Sequence, residues 1–233
     1  MLTKGPQFPL IGLSKERERL LAAVRKRESA LLLGPAGSGK TKLLKLALES
    51  GGGSALYVPY VPVPHELLAS LARALLPGNA SLSTSVRLRG LLWNHLEANP
   101  RLILLDGVHG ASHRVYRFFQ RLYYAPGTAI IATARDLPAL GALRRLFWDP
   151  RHVIHLQPLA DADARRLFEL AVEAFHLHAV ELHEFRDQVL ESAKGNPGQI
   201  IEMCRLAGDP EYRSGRRVKF APLRMDAMIR LAG

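Results

Sequence analysis

The stretch Leu31-Leu32-Leu33-Gly34-Pro35-Ala36-Gly37-Ser38-Gly39-Lys40-Thr41 constrains the architecture of this chain more than any other. An apolar run stops at a glycine-rich turn, and the turn closes on Gly-Lys-Thr, completing the pattern G-x-x-x-x-G-K-[ST]. Glycines let the backbone wrap with its N–H groups pointing inward, where they cradle phosphate oxygens. In such a loop the Lys40 ammonium meets the β- and γ-phosphates, and the Thr41 hydroxyl completes a Mg²⁺ shell. Leu43, Leu44, Ala47 and Leu48 follow at helical spacing, so the loop opens a helix whose N-terminal dipole also favours an anion. Strand, loop and helix in this order predict a nucleotide-binding α/β protein, with ATP or ADP and Mg²⁺ as cofactors. The candidate contacts are Gly34, Pro35, Ala36, Gly37, Ser38, Gly39, Lys40, Thr41 and Lys42.

The pattern around the loop continues the theme. Ser14 to Arg27 reads as an amphipathic helix, with Leu20, Leu21 and Val24 among charges. Ser29–Leu33, Ala55–Val58, Arg101–Leu105, Thr128–Thr133 and Val153–Leu156 read as strands. Helices are predicted between them near 65–76, 83–98, 115–124 and 137–147, with Pro77-Gly78-Asn79 ending the first of these. Strands alternating with helices imply a parallel sheet covered on both faces. After Pro158 the strand pattern disappears, and 161–175, 180–193 and 197–207 read as helices.

Further chemistry falls on this frame. Leu102-Ile103-Leu104-Leu105 ends in Asp106, at the carboxyl end of a buried strand where a phosphate-loop protein holds Mg²⁺. The metal-binding candidates are therefore Thr41 and Asp106. Gly107 follows, where many ATP-hydrolysing proteins on this frame carry a carboxylate that orients the attacking water; glycine offers no such group. His109 is a substitute or an exposed loop residue. Arg135 ends the strand Ile130-Ile131-Ala132-Thr133-Ala134, placed to report a γ-phosphate or to pair with Asp136. Arg144 and Arg145 precede the last strand, on a solvated face or facing a neighbouring subunit's nucleotide in trans. His176, His178 and His183 have no cysteine partners and no helix-face spacing, so no metal site is predicted there.

Composition bounds the partners. The net charge is +11 with 32 basic and 21 acidic residues, which suits DNA or another polyanion, although an arginine-rich composition gives the same bias. Arg114, Arg117 and Arg121 recur at helical spacing among Tyr116, Phe118, Phe119, Tyr123 and Tyr124, and Arg213, Arg216, Arg217, Lys219 and Arg224 crowd the C-terminal segment. The longest apolar runs are too short to cross a bilayer, and Met1 to Gly12 has no signal-like segment. With a single cysteine, Cys204, the expectation is a cytoplasmic protein without disulfides or membrane contact.

Taken in order, these motifs resemble the AAA+ superfamily, particularly its signalling (STAND) and origin-recognition-like branches, with a more general likeness to ATPase helpers of transposons. Gly34–Thr41 is similar to Walker A and Leu102–Asp106 to Walker B. Phe8-Pro9-Leu10-Ile11-Gly12-Leu13 is similar to the entry motif that lies against adenine in the family, which adds Ile11 and Gly12 as nucleotide contacts. Thr133-Ala134-Arg135 resembles the sensor-one Thr-x-Arg of the signalling branch. Gly195-Asn196-Pro197 resembles that branch's lid Gly-x-Pro, adding Pro197, and Arg145 resembles the arginine finger.

The resemblance implies a three-layer P-loop core over residues 1–158, a small all-helical lid over 159–210 and a basic C-terminal tail over 211–233. It implies catalytic roles for Lys40, Asp106, Arg135 and Arg145. Two departures, Gly107 and the absence of a sensor-two arginine near Gly198, point to a slow ATPase or a nucleotide-held switch that assembles with itself, on DNA or with a separately encoded protein. The alternatives are a STAND-type signalling NTPase and a scaffold that holds nucleotide without hydrolysing it.

Overall fold

A computed structural model describes residues 6–76 and 84–232, so the expected helix end at Pro77-Gly78-Asn79 lies outside the described residues. Five parallel strands form the sheet: β1 (Ala30–Leu33), β2 (Ala55–Pro59), β3 (Leu102–Asp106), β4 (Ala129–Ala134) and β5 (Val153–His155), in the order β2-β3-β4-β1-β5. Every residue of β1 and β4 is buried, which is why these strands are uninterrupted apolar runs instead of alternating ones. The register pairs Leu31 with Ala132 and Leu105 with Ala132 across the centre, and the first strand and Asp106 end at the same carboxyl edge.

The crossover helices supply the covering layers. They are α2 (Lys40–Gly51), α3 (Pro64–Leu75), α4 (Ser85–Ala98) and α5 (His113–Tyr123), while α1 (Ser14–Lys26) precedes the first strand. On one face Leu31, Leu33, Ile103, Leu105 and Ile130 share a core with Leu71 of α3, Leu92 of α4 and Phe118 of α5. The helix α2 packs on β2, β3 and β4 and buries Leu43, Leu44 and Ala47. Local caps fix the helix starts: the Thr84 hydroxyl accepts from Arg87 N–H at 3.4 Å, and Pro64 sits in the first turn of α3, where its missing N–H is harmless. The expected helix before β5 is a 3₁₀ segment, Pro138–Leu146, broken by Gly141 at φ +58°.

The chain divides into two units, one formed by Lys15–Pro35 with Lys40–Leu156, the other by the described part of Met1–Ser14 with Ala36–Gly39 and Gln157–Gly233. The second unit is helical: α6 (Asp161–Ala174), α7 (Leu182–Ala193), α8 (Pro197–Ala207) and α9 (Phe220–Ala232) surround Phe168, Val189, Ile200, Met203 and Leu223. Within the segment 211–233, expected as a tail, the described residues include a short hairpin of β6 (Arg213–Ser214) and β7 (Arg217–Val218), followed by α9. Leu223 and Ala227 are buried against this core, and the Tyr212 hydroxyl donates to Asp226.

Candidate nucleotide site

The phosphate loop begins where β1 runs out. Gly34 N–H donates to the Ala134 carbonyl at 3.3 Å, so the loop leaves the sheet beside the end of β4. Lys40, first residue of α2, folds its ammonium back over the loop and donates to the carbonyls of Gly34 and Pro35, each at 2.7 Å. Burial pushes the Lys40 ammonium pKa down, and the nearby Asp106 carboxylate partly offsets that. Thr41 is exposed in the first turn of α2, and burial lowers the pKa of Lys42 beside it.

Asp106 is held from both neighbouring strands. The Tyr57 hydroxyl of β2 donates to Oδ2 at 2.7 Å, and the Thr133 hydroxyl of β4 donates to Oδ1 at 2.7 Å. Thr133 is fully buried, and its oxygen also accepts from Gly107 N–H at 2.7 Å. Burial, then the hydrogen bond and charge of Asp106, push the Tyr57 phenol up to about 12. A carboxylate oriented in this way, a lysine within reach of its charge and an exposed hydroxyl on α2 form a donor set that suits the phosphates of a nucleotide and a hard divalent cation.

The loop apex has its own partners. Gly37 and Gly39 take φ values of +78° and +99°, the left-handed conformations that favour glycine. At the start of α8, Gly198 N–H donates to the Gly37 carbonyl at 2.9 Å, and the Asn196 amide donates to the Ala36 carbonyl at 2.9 Å. Asn196 also caps α8, accepting from Gln199 N–H at 3.2 Å, with Pro197 in the first turn. Ile11 packs on the helical core, and Gly12, at φ +70°, faces Leu159 and Asp163.

The other candidate side chains Arg135 and Arg145 have partners of their own. The Arg135 side chain is 76% exposed and pairs with Asp136 at 3.4 Å. Arg145 lies over the Tyr116 ring, 5.7 Å from its centre, and Arg144 is exposed. The aromatic residues interleaved with the α5 arginines are largely core: Phe118 and Phe119 are buried. Of the C-terminal basic group, Arg213 donates to the Ala207 carbonyl and Arg217 pairs with Glu181. Among the described residues no cluster of three or more His, Cys, Asp or Glu side chains is arranged to hold a metal, and no helix is long and apolar enough to cross a membrane.

Sequence reading missed Tyr57, which reaches Asp106 across a strand pair and carries no local signal. Asn196 and Gly198 are legible in the sequence only as parts of a lid-like motif and its missing arginine position, without their bonds to the loop carbonyls.

Residues 24–135 match the AAA domain family. No curated protein matches the sequence. Among solved structures, the Thermotoga maritima RuvB Holliday junction branch migration motor superposes with a TM-score of 0.56 at 15% identity, over 94% of this chain and 69% of that one. A Walker-type ATPase of Pyrococcus abyssi gives 0.58 at 15% identity, over 95% and 71%. Katanin, from a study of its self-assembly, gives 0.54 at 17% identity, over 96% and 82%. At such identities these likenesses establish the fold.

Proposed function

We propose that this chain, which carries an AAA domain on the P-loop AAA+ fold, binds ATP with Mg²⁺ as a nucleotide-controlled switch or assembly factor and turns ATP over slowly. The observation that carries this reading is the pairing of a complete phosphate loop with an Asp106 whose neighbour, Gly107, sits at φ +74°. Lys40 exchanges its two loop carbonyls for phosphate oxygens. Thr41 and Asp106 hold the cation, which when bound neutralises charge between the phosphates. Arg135 exchanges a weak surface pair with Asp136 for the γ-phosphate, at little cost because such exposed pairs contribute about 0–1 kcal/mol. Gly107 presents no carboxylate to align water, so binding outlasts hydrolysis.

Arg145 supplies positive charge to the nucleotide of a neighbouring copy, and the net charge of +11 supports DNA as the surface on which copies assemble. Thr133-Ala134-Arg135 and Gly195-Asn196-Pro197 favour the signalling branch, for which a separately encoded protein takes the place of DNA. Titration of a fluorescent ATP analogue against the wild type and Lys40→Ala tests the nucleotide role. Loss of binding in the variant is expected, and unchanged affinity would refute the assignment.

A further inference from the structure

Away from the phosphate loop, α3, α4 and α5 enclose a groove of about 660 Å³ on the core. Its floor is apolar, with Leu68, Val115 and Phe118 buried. Its rim is cationic. Arg89 of α4 and Arg114 and Arg117 of α5 line it, and no carboxylate does among the described residues. One turn further along α5, Arg121 is already neutralised, 2.6 Å from Glu97 and lying over the Trp93 ring. Arg114 and Arg117 have no such ion pair among the described residues.

Two guanidinium forks beside an apolar floor select a particular chemistry. Carboxylates match the fork geometry of arginine, and a low-dielectric floor strengthens the pairing once water leaves. The apolar surface also extends over the rim, where Val63 is 45% and Val86 69% exposed, so the contact is broader than a small anion requires. Single-stranded nucleic acid fits less well, because it needs free aromatic faces on which bases stack. Phe118 is buried, Arg89 and Arg121 lie over the Trp93 ring at 5.2 and 4.7 Å, and the exposed Tyr124 stands at the opposite end of α5. We infer that the groove docks an acidic amphipathic segment of a partner protein. Its carboxylates pair with Arg114 and Arg117, and its apolar side chains cover the floor. This site uses no residue of the phosphate loop and stands independently of the nucleotide reading.

The test is selection from a random dodecapeptide display library on the full chain, counter-selected against Arg114→Glu/Arg117→Glu. Selected peptides are then synthesised and titrated by fluorescence polarisation at low and high salt, beside a labelled oligo-dT strand. The expected winners combine several Asp or Glu with apolar anchors, weaken with salt, and lose about tenfold or more in affinity for the variant. Their affinity for Lys40→Ala is unchanged, which separates failure here from failure of the nucleotide site. If the charge reversal unfolds α5, as judged by circular dichroism, Arg114→Ala/Arg117→Ala takes its place. Winners without acidic enrichment, or winners that bind both proteins equally, would overturn the proposal. So would oligo-dT that binds more tightly than every peptide and is lost in the same variant, which would make the groove a nucleic-acid site.

Discussion

The Thr133 hydroxyl stands between Asp106 and Gly107, donating to Asp106 Oδ1 at 2.7 Å and accepting from Gly107 N–H at 2.7 Å. One buried oxygen thus couples the orientation of the candidate metal carboxylate to the turn that follows it. Thr133→Val keeps the shape and removes both bonds, with an expected loss of about 1–3 kcal/mol in stability. ATP binding measured with Mg²⁺ should weaken more than binding measured without it, since the released carboxylate is needed only for the cation. Denaturant midpoints and paired ATP titrations check this. Equal losses in both titrations would reduce Thr133 to a purely structural role.

Tyr57 leads to a pH dependence. Burial first, then the bond to and charge of Asp106, raise its phenol from 10.0 to about 12, and burial alone takes Tyr60 to about 12. A group whose pKa is raised by folding supports the folded state while protonated. That support is complete below about pH 10 and is lost as pH climbs through about 12. Stability should therefore decline across this window, with tyrosinate absorbance rising late. Tyr57→Phe cannot ionise and should flatten the decline, at the expense of the hydrogen bond to Asp106. Urea unfolding at stepped alkaline pH reads the slope, and an identical slope in the variant would contradict the assignment.

What was legible in the sequence was local chemistry. Leu31–Leu33 and Leu102–Leu105 are apolar runs of strand length, and both are buried strands. Gly34–Thr41 and Asp106 were readable because backbone conformation and strand ends are written in neighbouring residues. Partners distant in the chain were not. Tyr57 meets Asp106 from 49 residues away, and Asn196 meets Ala36 from 160. Pro138–Leu146 has helical leucine spacing, but the turn at Gly141 is set elsewhere: a Cβ there would lie 2.6 Å from the Ala111 carbonyl oxygen. The last segment hid its fold because Arg213, Arg216 and Arg217 mask a hairpin, and α9 buries only a narrow stripe at Leu223 and Ala227.

Gly198 is expected to be intolerant of even one methyl group. A Cβ there would lie 2.5 Å from Gly37 Cα, and the neighbour is backbone, which cannot swing aside. Gly198→Ala should push the start of α8 off the loop apex and cost about 1–3 kcal/mol. The bonds from Gly198 and Asn196 to the loop carbonyls should weaken together, and ATP affinity should change with them. Thermal denaturation and ATP titration of the variant provide the check. Wild-type values in both would refute the close approach.

Cys204 offers a probe of the helical unit. It is fully buried in α8 beside Met203 and Leu206, and burial pushes its thiol pKa up, so thiolate is scarce in the folded state. Alkylation should be slow under native conditions and should accelerate with denaturant in step with opening of this core. Mass spectrometry of timed alkylation follows it directly. Rapid native labelling would contradict the burial of Cys204.

Gly107 tests whether the proposed slow turnover would reflect a missing side chain or the backbone itself. A Cβ there would meet no atom within 4 Å, so the first carbon of a Gly107→Glu side chain finds open space. Yet φ is +74°, and an L-residue in that conformation costs about 1–2 kcal/mol. For a chain of this size the thermal midpoint falls about 2–4 °C for each kcal/mol. A properly placed general base contributes about 10²–10⁴ in rate. Because the left-handed turn is held by the Gly107 N–H bond to Thr133, the new carboxylate starts from a direction the turn dictates. We therefore expect a lower midpoint with a gain in ATP turnover below about tenfold, far short of the range a placed base supplies. A gain of about a hundredfold or more would instead assign the proposed slow turnover to the absent side chain alone.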